Sequence, residues 1–280
     1  MKRRILTANN LNDFQKYLIL QEKSKATTKK YFRDAKVFAD FAGNEEIRKE
    51  IVIAYKEHLR ENHAVRSVNS MLASINSLFA FLGWFDLKIK ALKVQHQVFC
   101  SEEKELTKAE YARLCKAAQS NHNERLNLIL QTICATGIRV SELRFITVEA
   151  VKQSEATMSL KGKTRSIFIV KDLKKKLLRY AAKQNIKSGM IFVTRTSKPI
   201  NRTNIWREMK NLCKKANVNP QKVFPHNLRH LFARVFYNIE KDIAKLADIL
   251  GHSSINTTRI YIISTGTEHR RRVEDMRLII

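Results

Sequence analysis

The chain has 280 residues and a formal net charge of +27, with 53 lysines and arginines against 26 aspartates and glutamates. Its length permits one large or two ordinary domains with a buried core, and 44% apolar residues without low-complexity tracts exclude a disordered basic tail. Nucleic acid is the leading expected partner because a positive field of this size concentrates polyanions. As an alternative role, the protein could merely neutralise phosphate.

Seven glycines and three prolines favour a mostly helical chain. The four cysteines show no C-x-x-C spacing, so neither a disulfide framework nor a zinc module is expected. The N-terminus is basic but lacks the apolar core of a signal peptide, and no apolar run approaches the roughly 18 residues that span a membrane. We therefore expect a cytoplasmic protein without a membrane partner.

Helical periodicity dominates the first hundred residues. Phe14 and Leu18 mark a first helix, a threonine N-cap at 27–28 begins a second that ends at Gly43, and a third covers roughly 46–62. On the second helix, residues spaced by three or four are expected to face the core, namely Tyr31, Ala35, Phe38 and Phe41. The basic side chains left outside are Lys25, Lys29, Lys30, Arg33 and Lys36.

A fourth helix, roughly 65–82, has the clearest apolar stripe of the chain, formed by Val68, Leu72, Ile75, Phe79 and Leu82. Its opposite face is small and polar, with Arg66, Ser67, Asn69, Ser70, Ser74 and Asn76. Beside the basic second helix, such a face suits a DNA groove, where cations meet phosphates and short polar side chains meet base edges. The solvated face of an ordinary helical bundle is the alternative.

Periodicity fades after this helix. The stretch from about 86 to 104 contains Lys88, Lys90 and Lys93 and predicts an extended basic linker. We therefore expect a helical domain over 1–99 and a second domain over 105–280. Two basic domains joined in this way could close around a DNA duplex as a clamp.

The second domain is predicted to begin with a helix capped at Thr107, because Thr107 and Glu110 have capping-box spacing. A further helix ends at Gly137, and Arg139 follows at a tight corner before the next helical segment. An arginine there can be directed inward. It can equally be solvated or pair with the nearby Glu142.

The pattern changes between 156 and 170. Two β-favouring runs, 157–160 and 166–170, flank a basic tip from Lys161 to Arg165 and predict a short hairpin, although such tips are often solvated turns. Helices are expected at about 172–185 and 203–216, with a short strand over 191–193 between them.

A run of polar residues with hardly any carboxylate follows Pro225. Proline at a first helical turn places His226, Arg229 and His230 on one helix face. No metal is expected, because H-E-x-x-H is not matched and Arg229 lies where a metal would bind. His252 follows a helix that Asp242 caps and Gly251 ends, and Tyr261 lies on a short helix. A C-terminal cap and a core aromatic are the plain alternatives for these two residues.

Together these motifs resemble the tyrosine recombinase (phage integrase) family, especially its compact Xer-like members. The resemblance rests on Thr136-Gly137-Ile138-Arg139-Val140-Ser141-Glu142-Leu143, on Gly162-Lys163, on His226-Asn227-Leu228-Arg229-His230 and on Leu250-Gly251-His252-Ser253-Ser254 through Tyr261. It implies a mainly α fold with a small β-sheet, in which a helical core-binding domain precedes a mostly helical catalytic domain.

The resemblance also implies roles. The catalytic residues would be Arg139, Lys163, His226, Arg229, His252 and the nucleophile Tyr261, with Lys161 a rival for Lys163 because the hairpin departs from the family's pattern. DNA contacts are expected from Lys25, Lys29, Lys30, Arg33, Arg66, Asn69 and Lys90.

Tyrosine has a pKa of about 10, so Tyr261 needs a base, for which we expect His226. The arginines, with a further donor from His252, would stabilise the charge on the phosphate.

Neither cofactor nor metal is expected. Double-stranded DNA and further copies of the chain, as a tetramer, are the expected partners, with the tail over 266–280 docking on a neighbouring subunit. The alternatives are a type IB topoisomerase and a catalytically silent architectural protein. Integration, excision, inversion and dimer resolution are left open.

Overall fold

The structure is a computed structural model that describes residues 3–94, 102–160, 163–194, 196–262 and 266–276. The chain divides into two compact units, Met1–His96 and Gln97–Ile280. Helices dominate both units, and the described residues form one small sheet of two strands. The predicted fold class, mainly α with a small sheet, is therefore confirmed. No helix within the described ranges is long and apolar enough to cross a bilayer.

The first unit, over residues 3–94, contains the helices α1 (Ala8–Leu20), α2 (Lys25–Ala42), α3 (Lys49–Asn62) and α4 (Val65–Phe81). The predicted stripe of α4 is buried from Val68 to Phe79. Each such apolar side chain contributes about 1.5–3 kcal/mol when it is fully buried, so packing holds α4 in place. Phe38 of α2 meets it in the core, with its ring centroid 5.6 Å from that of Phe79.

Two details of α2 differ from the prediction. The helix is capped by Ser24, whose side chain accepts a hydrogen bond from the backbone N–H of Thr27, so the proposed threonine cap is wrong. Phe41 was expected in the core, but it is 40% exposed. It packs at the rim instead, with its ring centroid 5.1 Å from that of Tyr55.

A buried carboxylate joins α2 to α4. Asp34 is 1% exposed and accepts hydrogen bonds from Lys30 Nζ at 2.5 Å and from Ser74 Oγ at 2.8 Å. Lys30 also donates to the carbonyl of Ser70 at 3.0 Å. Lys30 thus differs from the predicted free outer side chain, because a buried carboxylate requires a cation or donors beside it.

The first part of the predicted linker lies against the first unit. The Asn69 side chain exchanges two hydrogen bonds with the backbone of Leu92, and the Asn76 side chain does the same with Ile89. Lys56 Nζ donates to the carbonyl of Lys90 at 3.0 Å. These side chains satisfy the backbone of an extended segment that has no neighbouring strand.

The second unit contains the helices α5 (Lys108–Ser120), α6 (Glu124–Thr136), α7 (Val148–Gln153), α8 (Lys171–Lys183), α9 (Arg202–Ala216), α10 (Pro225–Glu240), α11 (Ile243–Leu250), α12 (Ile255–Ile262) and α13 (Gly266–Asp275). The capping box at Thr107, the proline at the start of α10 and the Asp242 cap of α11 are confirmed. The helix α7 was not predicted, because six residues are too few for a clear period.

The strands β1 (Glu155–Leu160) and β2 (Lys163–Phe168) pair in antiparallel fashion from Glu155 and Phe168 to Leu160 and Lys163. The turn is therefore shorter than the predicted tip, and Thr164 and Arg165 lie in the strand. Lys161 and Gly162 lie outside the described residues. The strand expected over 191–193 is wrong, since this region has isolated bridges, one of which pairs Val193 with Pro199.

Gly137 ends α6 in the left-handed conformation, with φ of +66°, and a Cβ there would lie 2.4 Å from Phe232 Cδ1 and 3.1 Å from Leu250 Cδ2. We expect Gly137→Ala to lower the free energy of unfolding of the second unit by more than about 2 kcal/mol, as measured by urea unfolding. The control is Gly189→Ala, because Gly189 has φ of +76° but no atom within 4 Å of such a Cβ. Equal losses would show that backbone strain alone matters.

Candidate active site

The buried guanidinium of Arg229 connects three segments of the second unit. Its side chain donates to the carbonyls of Gly137 at 2.6 Å and Leu250 at 2.7 Å, and Nη2 lies 3.0 Å from Nε2 of His252. These carbonyls lie at the C-terminal ends of α6 and α11, where the helix dipole favours a cation. Burial, followed by the nearby charge of Arg139, lowers the pKa of Arg229 to about 10.

Glu142 is a buried carboxylate among arginines. It is 1% exposed and accepts hydrogen bonds from the backbone N–H of Arg139 at 2.7 Å, from Arg139 Nη1 at 2.9 Å and from Arg165 Nη2 at 2.5 Å. Its Oε2 also lies 4.0 Å from Arg229 Nη1. The pairing of Arg139 with Glu142, one of the alternatives left open by the sequence, is therefore present, because cations buried this closely need a compensating anion.

Arg139 remains the accessible arginine of this group, with a side chain 41% exposed. It lines two clefts. One, of ≈ 560 Å³, is also lined by His226, Arg229 and the α9 residue Trp206. The other, of ≈ 870 Å³, is also lined by residues of β2 and by His252. A ligand in either cleft would therefore meet Arg139.

Arg165 was expected at the basic tip of the hairpin, but it is a neighbour of the site. Its side chain donates to the carbonyl of Ile249 and to Glu142. A Cβ on Gly251 would lie 2.8 Å from Arg165 Cδ, so the absence of a side chain there admits the arginine. The period of two along a strand could have indicated this position, since Arg165 shares a face with the buried Ile167.

Tyr261 lies inside the second unit, beside two histidines of α10. It is 6% exposed, and its hydroxyl is 3.2 Å from His226 Nε2. Its ring stacks on that of His230, with centroids 4.2 Å apart, and it packs in an apolar cluster with Leu246 and Leu250. Burial, followed by the charges of Arg229 and Arg139, lowers the pKa of His226, so its neutral ring can accept a proton.

His252 is held as a hydrogen-bond acceptor. Arginine can only donate, so the 3.0 Å contact with Arg229 Nη2 requires Nε2 of His252 to accept. Nδ1 then carries the proton and donates to Thr258 Oγ1 at 2.8 Å. Burial, followed by Arg229, lowers the pKa of His252 to about 4. This tautomer differs from the expected phosphate donor, because neither ring nitrogen has a free N–H.

The hairpin lysines and the predicted DNA contacts complete the set of predicted residues. Lys163 begins β2 with its backbone paired to Leu160, but its side chain, like all of Lys161, lies outside the described part of the chain. Of the residues expected to contact DNA in the first unit, five are exposed, namely Lys25, Lys29, Arg33, Arg66 and Lys90. Arg33 also pairs with Asp34 at 3.1 Å. Lys30 and Asn69 have their polar groups engaged within the unit.

Two family models match the chain. The model of the phage integrase family covers residues 104–268, and the model of the phage integrase N-terminal SAM-like domain covers residues 11–84. The chain is also similar to the tyrosine recombinase XerA of Pyrococcus horikoshii, with 30% identity over 282 residues that cover 98% of this chain and 96% of that protein.

Solved structures share the fold. A lambda integrase fragment, crystallised as a dimer bound to a COC' core site, has a TM-score of 0.75 at 18% identity over 93% of this chain and 96% of its own. A lambda integrase tetramer bound to a Holliday junction has a TM-score of 0.73 at 17% identity over 90% of this chain and 76% of its own.

The two family models and the shared fold define the class of this protein, that of the phage integrases. Because the first family model covers more than half of the sequence, the chain belongs to the phage integrase family. It is a tyrosine recombinase, a DNA strand-breaking and rejoining enzyme.

The Glu142 carboxylate offers a test of how this cluster is held. We expect Glu142→Gln to lower the free energy of unfolding by about 3–5 kcal/mol, because it leaves buried guanidinium groups without their anion. Urea unfolding measures the loss. Glu124→Gln is the control, since Glu124 is 39% exposed and pairs with Lys183 at 2.7 Å. A loss at Glu142 no larger than at Glu124 would contradict a central role for this carboxylate.

Proposed function

We propose that this recombinase cleaves DNA with Tyr261 as nucleophile and His226 as its base. The observation that supports this best is the 3.2 Å contact between the Tyr261 hydroxyl and His226 Nε2. The tyrosine oxygen attacks the scissile phosphorus, its proton passes to His226, and the bond from phosphorus to the 5′ oxygen breaks. The product is a 3′-phosphotyrosyl link and a free 5′ hydroxyl, which conserves the phosphodiester bond energy.

In this proposal, Arg139 and Arg229 stabilise the charge that develops on the phosphate oxygens. Arg139 is the exposed partner that meets the phosphate first, and Arg229 holds the site together from within. Desolvated, prearranged donors stabilise a transition state more than mobile donors in water do. His252 would join them after its bond with Arg229 opens and its proton moves from Nδ1 to Nε2, so that Nε2 donates to the phosphate while Nδ1 accepts from Thr258 Oγ1.

Lys163 is the proposed proton donor for the departing 5′ oxygen, with Lys161 as its rival. The support is the position of Lys163 at the start of β2, next to the turn of the hairpin, while Arg165 in the same strand contacts Glu142 at 2.5 Å. The hairpin thus reaches the arginine cluster from the strand side. The proposal needs neither a metal nor ATP, because the tyrosine, base, cations and acid together supply the chemistry.

DNA is the substrate, and the working assembly holds several copies of the chain. The lambda integrase structures that share this fold are a dimer on a core site and a tetramer on a Holliday junction. We propose the same partners here, with a domain over 1–99 that binds the core of the site, a catalytic domain over 105–280, and both closing on the duplex as a clamp. The exposed cations of α2 and α4 would contact its phosphates.

The tail over 266–280 is proposed to dock on a neighbouring subunit. Its described part, 266–276, exposes Val273 of α13 and Met276 just after that helix, which form a surface that a partner could cover. Because the protein would act on DNA inside the cell, we also propose that it is located in the cytoplasm.

Relaxation of supercoils by the same chemistry is the second candidate function. The formation of recombinant products from a DNA with two sites would distinguish recombination from relaxation.

Replacing Tyr261 tests the nucleophile. Wild-type protein incubated with its nicked recombination site should form a covalent adduct that survives denaturing electrophoresis, whereas Tyr261→Phe should form none and bind DNA within about twofold of wild type. Tyr237→Phe is the control, since Tyr237 packs against the same apolar cluster. An adduct that persists in Tyr261→Phe would move the nucleophile elsewhere, and no adduct from wild type on any site would favour the silent architectural protein.

Neighbouring lysines of α2 test the DNA-facing surface. Lys29 is exposed, whereas Lys30 is bound to Asp34 and Ser74. We expect Lys29→Met to lower the slope of log affinity against log salt by about 1. Lys30→Met should leave that slope unchanged and lower the free energy of unfolding by about 1–3 kcal/mol, because Asp34 loses a donor. Equal changes of slope would show that Lys30 releases Asp34 to meet phosphate.

A further inference from the structure

A carboxylate at the start of the second unit lies beside the histidines of α10. Glu105 precedes α5, and its Oε2 accepts a hydrogen bond from Arg234 Nη1 at 3.0 Å. Its Oε1 lies 3.9 Å from Nδ1 of His230. Both side chains are largely buried, with 13% exposure for Glu105 and 15% for His230. The motifs that the proposed mechanism uses do not include Glu105.

The Nδ1 atom of His230 is buried and has no hydrogen-bond partner among the described residues. A buried polar atom left without a partner is costly, so a nearby acceptor will be used where the geometry allows. A shift of about 1 Å would bring Oε1 of Glu105 to hydrogen-bond distance. The His230 ring then donates from Nδ1, which fixes its tautomer and its plane.

The plane of the His230 ring matters because it supports the proposed nucleophile. The ring stacks on that of Tyr261, with centroids 4.2 Å apart and an angle of 26° between the planes. It also packs edge to face with the ring of His226, with centroids 4.9 Å apart. A rotation of His230 would therefore move Tyr261 relative to the base that it contacts.

The backbone around Glu105 is fixed on both sides. Asn227 Nδ2 donates to the carbonyl of Lys104 at 2.8 Å, and Leu106 is buried with 1% exposure. A carboxylate on such an anchored segment has little freedom to leave its neighbours. An anchored side chain of this kind can hold a neighbouring reactive residue in position.

We propose that Glu105 is a positioning residue, which accepts a hydrogen bond from His230 Nδ1 and through the His230 ring holds Tyr261 in the orientation for attack. The proposal rests on the function proposed above. Glu105 touches neither the phosphate nor the reacting oxygen, so it acts on the cleavage step and not on DNA affinity. The segment that begins the second unit is thereby coupled to the nucleophile.

The test measures single-turnover cleavage of a nicked recombination site together with the Kd for that DNA. In Glu105→Gln, the amide oxygen meets the charged Arg234 and the NH2 group faces His230, where it cannot accept from Nδ1, so the cleavage rate should fall about tenfold while Kd changes less than about twofold. Glu110→Gln is the matched control, because Glu110 is 14% exposed and pairs with Lys222 at 3.1 Å, away from the histidines. The control should cleave at the wild-type rate.

A double-mutant cycle identifies the route. His230→Phe keeps a ring against Tyr261 but has no Nδ1, so adding Glu105→Gln to it should cause no further loss of rate. A further tenfold loss would overturn the proposal, as would a Glu105→Gln rate within twofold of wild type. If Glu105→Gln fails to bind DNA, Glu105→Asp decides by the same criteria. No adduct from wild-type protein would instead overturn the proposed function.

Discussion

The hydrogen bonds of the Arg229 guanidinium to two helix ends are the interaction on which the second unit depends. They bring together the end of α6, the end of α11 and the first turns of α10. Both helices end at a glycine in the left-handed conformation, Gly137 and Gly251, so the carbonyls of Gly137 and Leu250 can point to the arginine. Arg139 follows one of these turns and His252 follows the other, and their positions are therefore set by Arg229.

This arrangement carries an electrostatic cost that shapes the rest of the site. Guanidinium groups crowded in a poorly solvated region repel one another, and Glu142 offsets that repulsion from a buried position. Burial, followed by the same positive surroundings, disfavours protonation of the histidines, and the pKa of His230 is lowered to about 4. A neutral His226 can accept the proton of Tyr261, which a charged imidazolium could not do. Cations for the phosphate and a neutral base for the tyrosine thus have a common origin.

Local signals in the sequence predicted local structure well. The caps at Thr107 and Asp242, the helix stop at Gly137 and the buried stripe of α4 are confirmed, because each depends on residues within one or two turns. The predictions that differ involve distant partners. Lys30 turns inward because Asp34 is buried against α4, and Asn69 is engaged because the extended backbone at Leu92, 23 residues later, needs its amide.

The sequence by itself determined the fold class, the helix ends and the choice of candidate residues, since motif spacing and charge are properties of the chain. Only the tertiary structure decided how those residues meet. It brought Arg165 and Glu105 to the cluster, buried Glu142 among the arginines, fixed the acceptor tautomer of His252 and buried Tyr261 against His230. The physical reason is that hydrogen-bond roles and pKa values depend on burial and on neighbours distant in sequence, which no local pattern records.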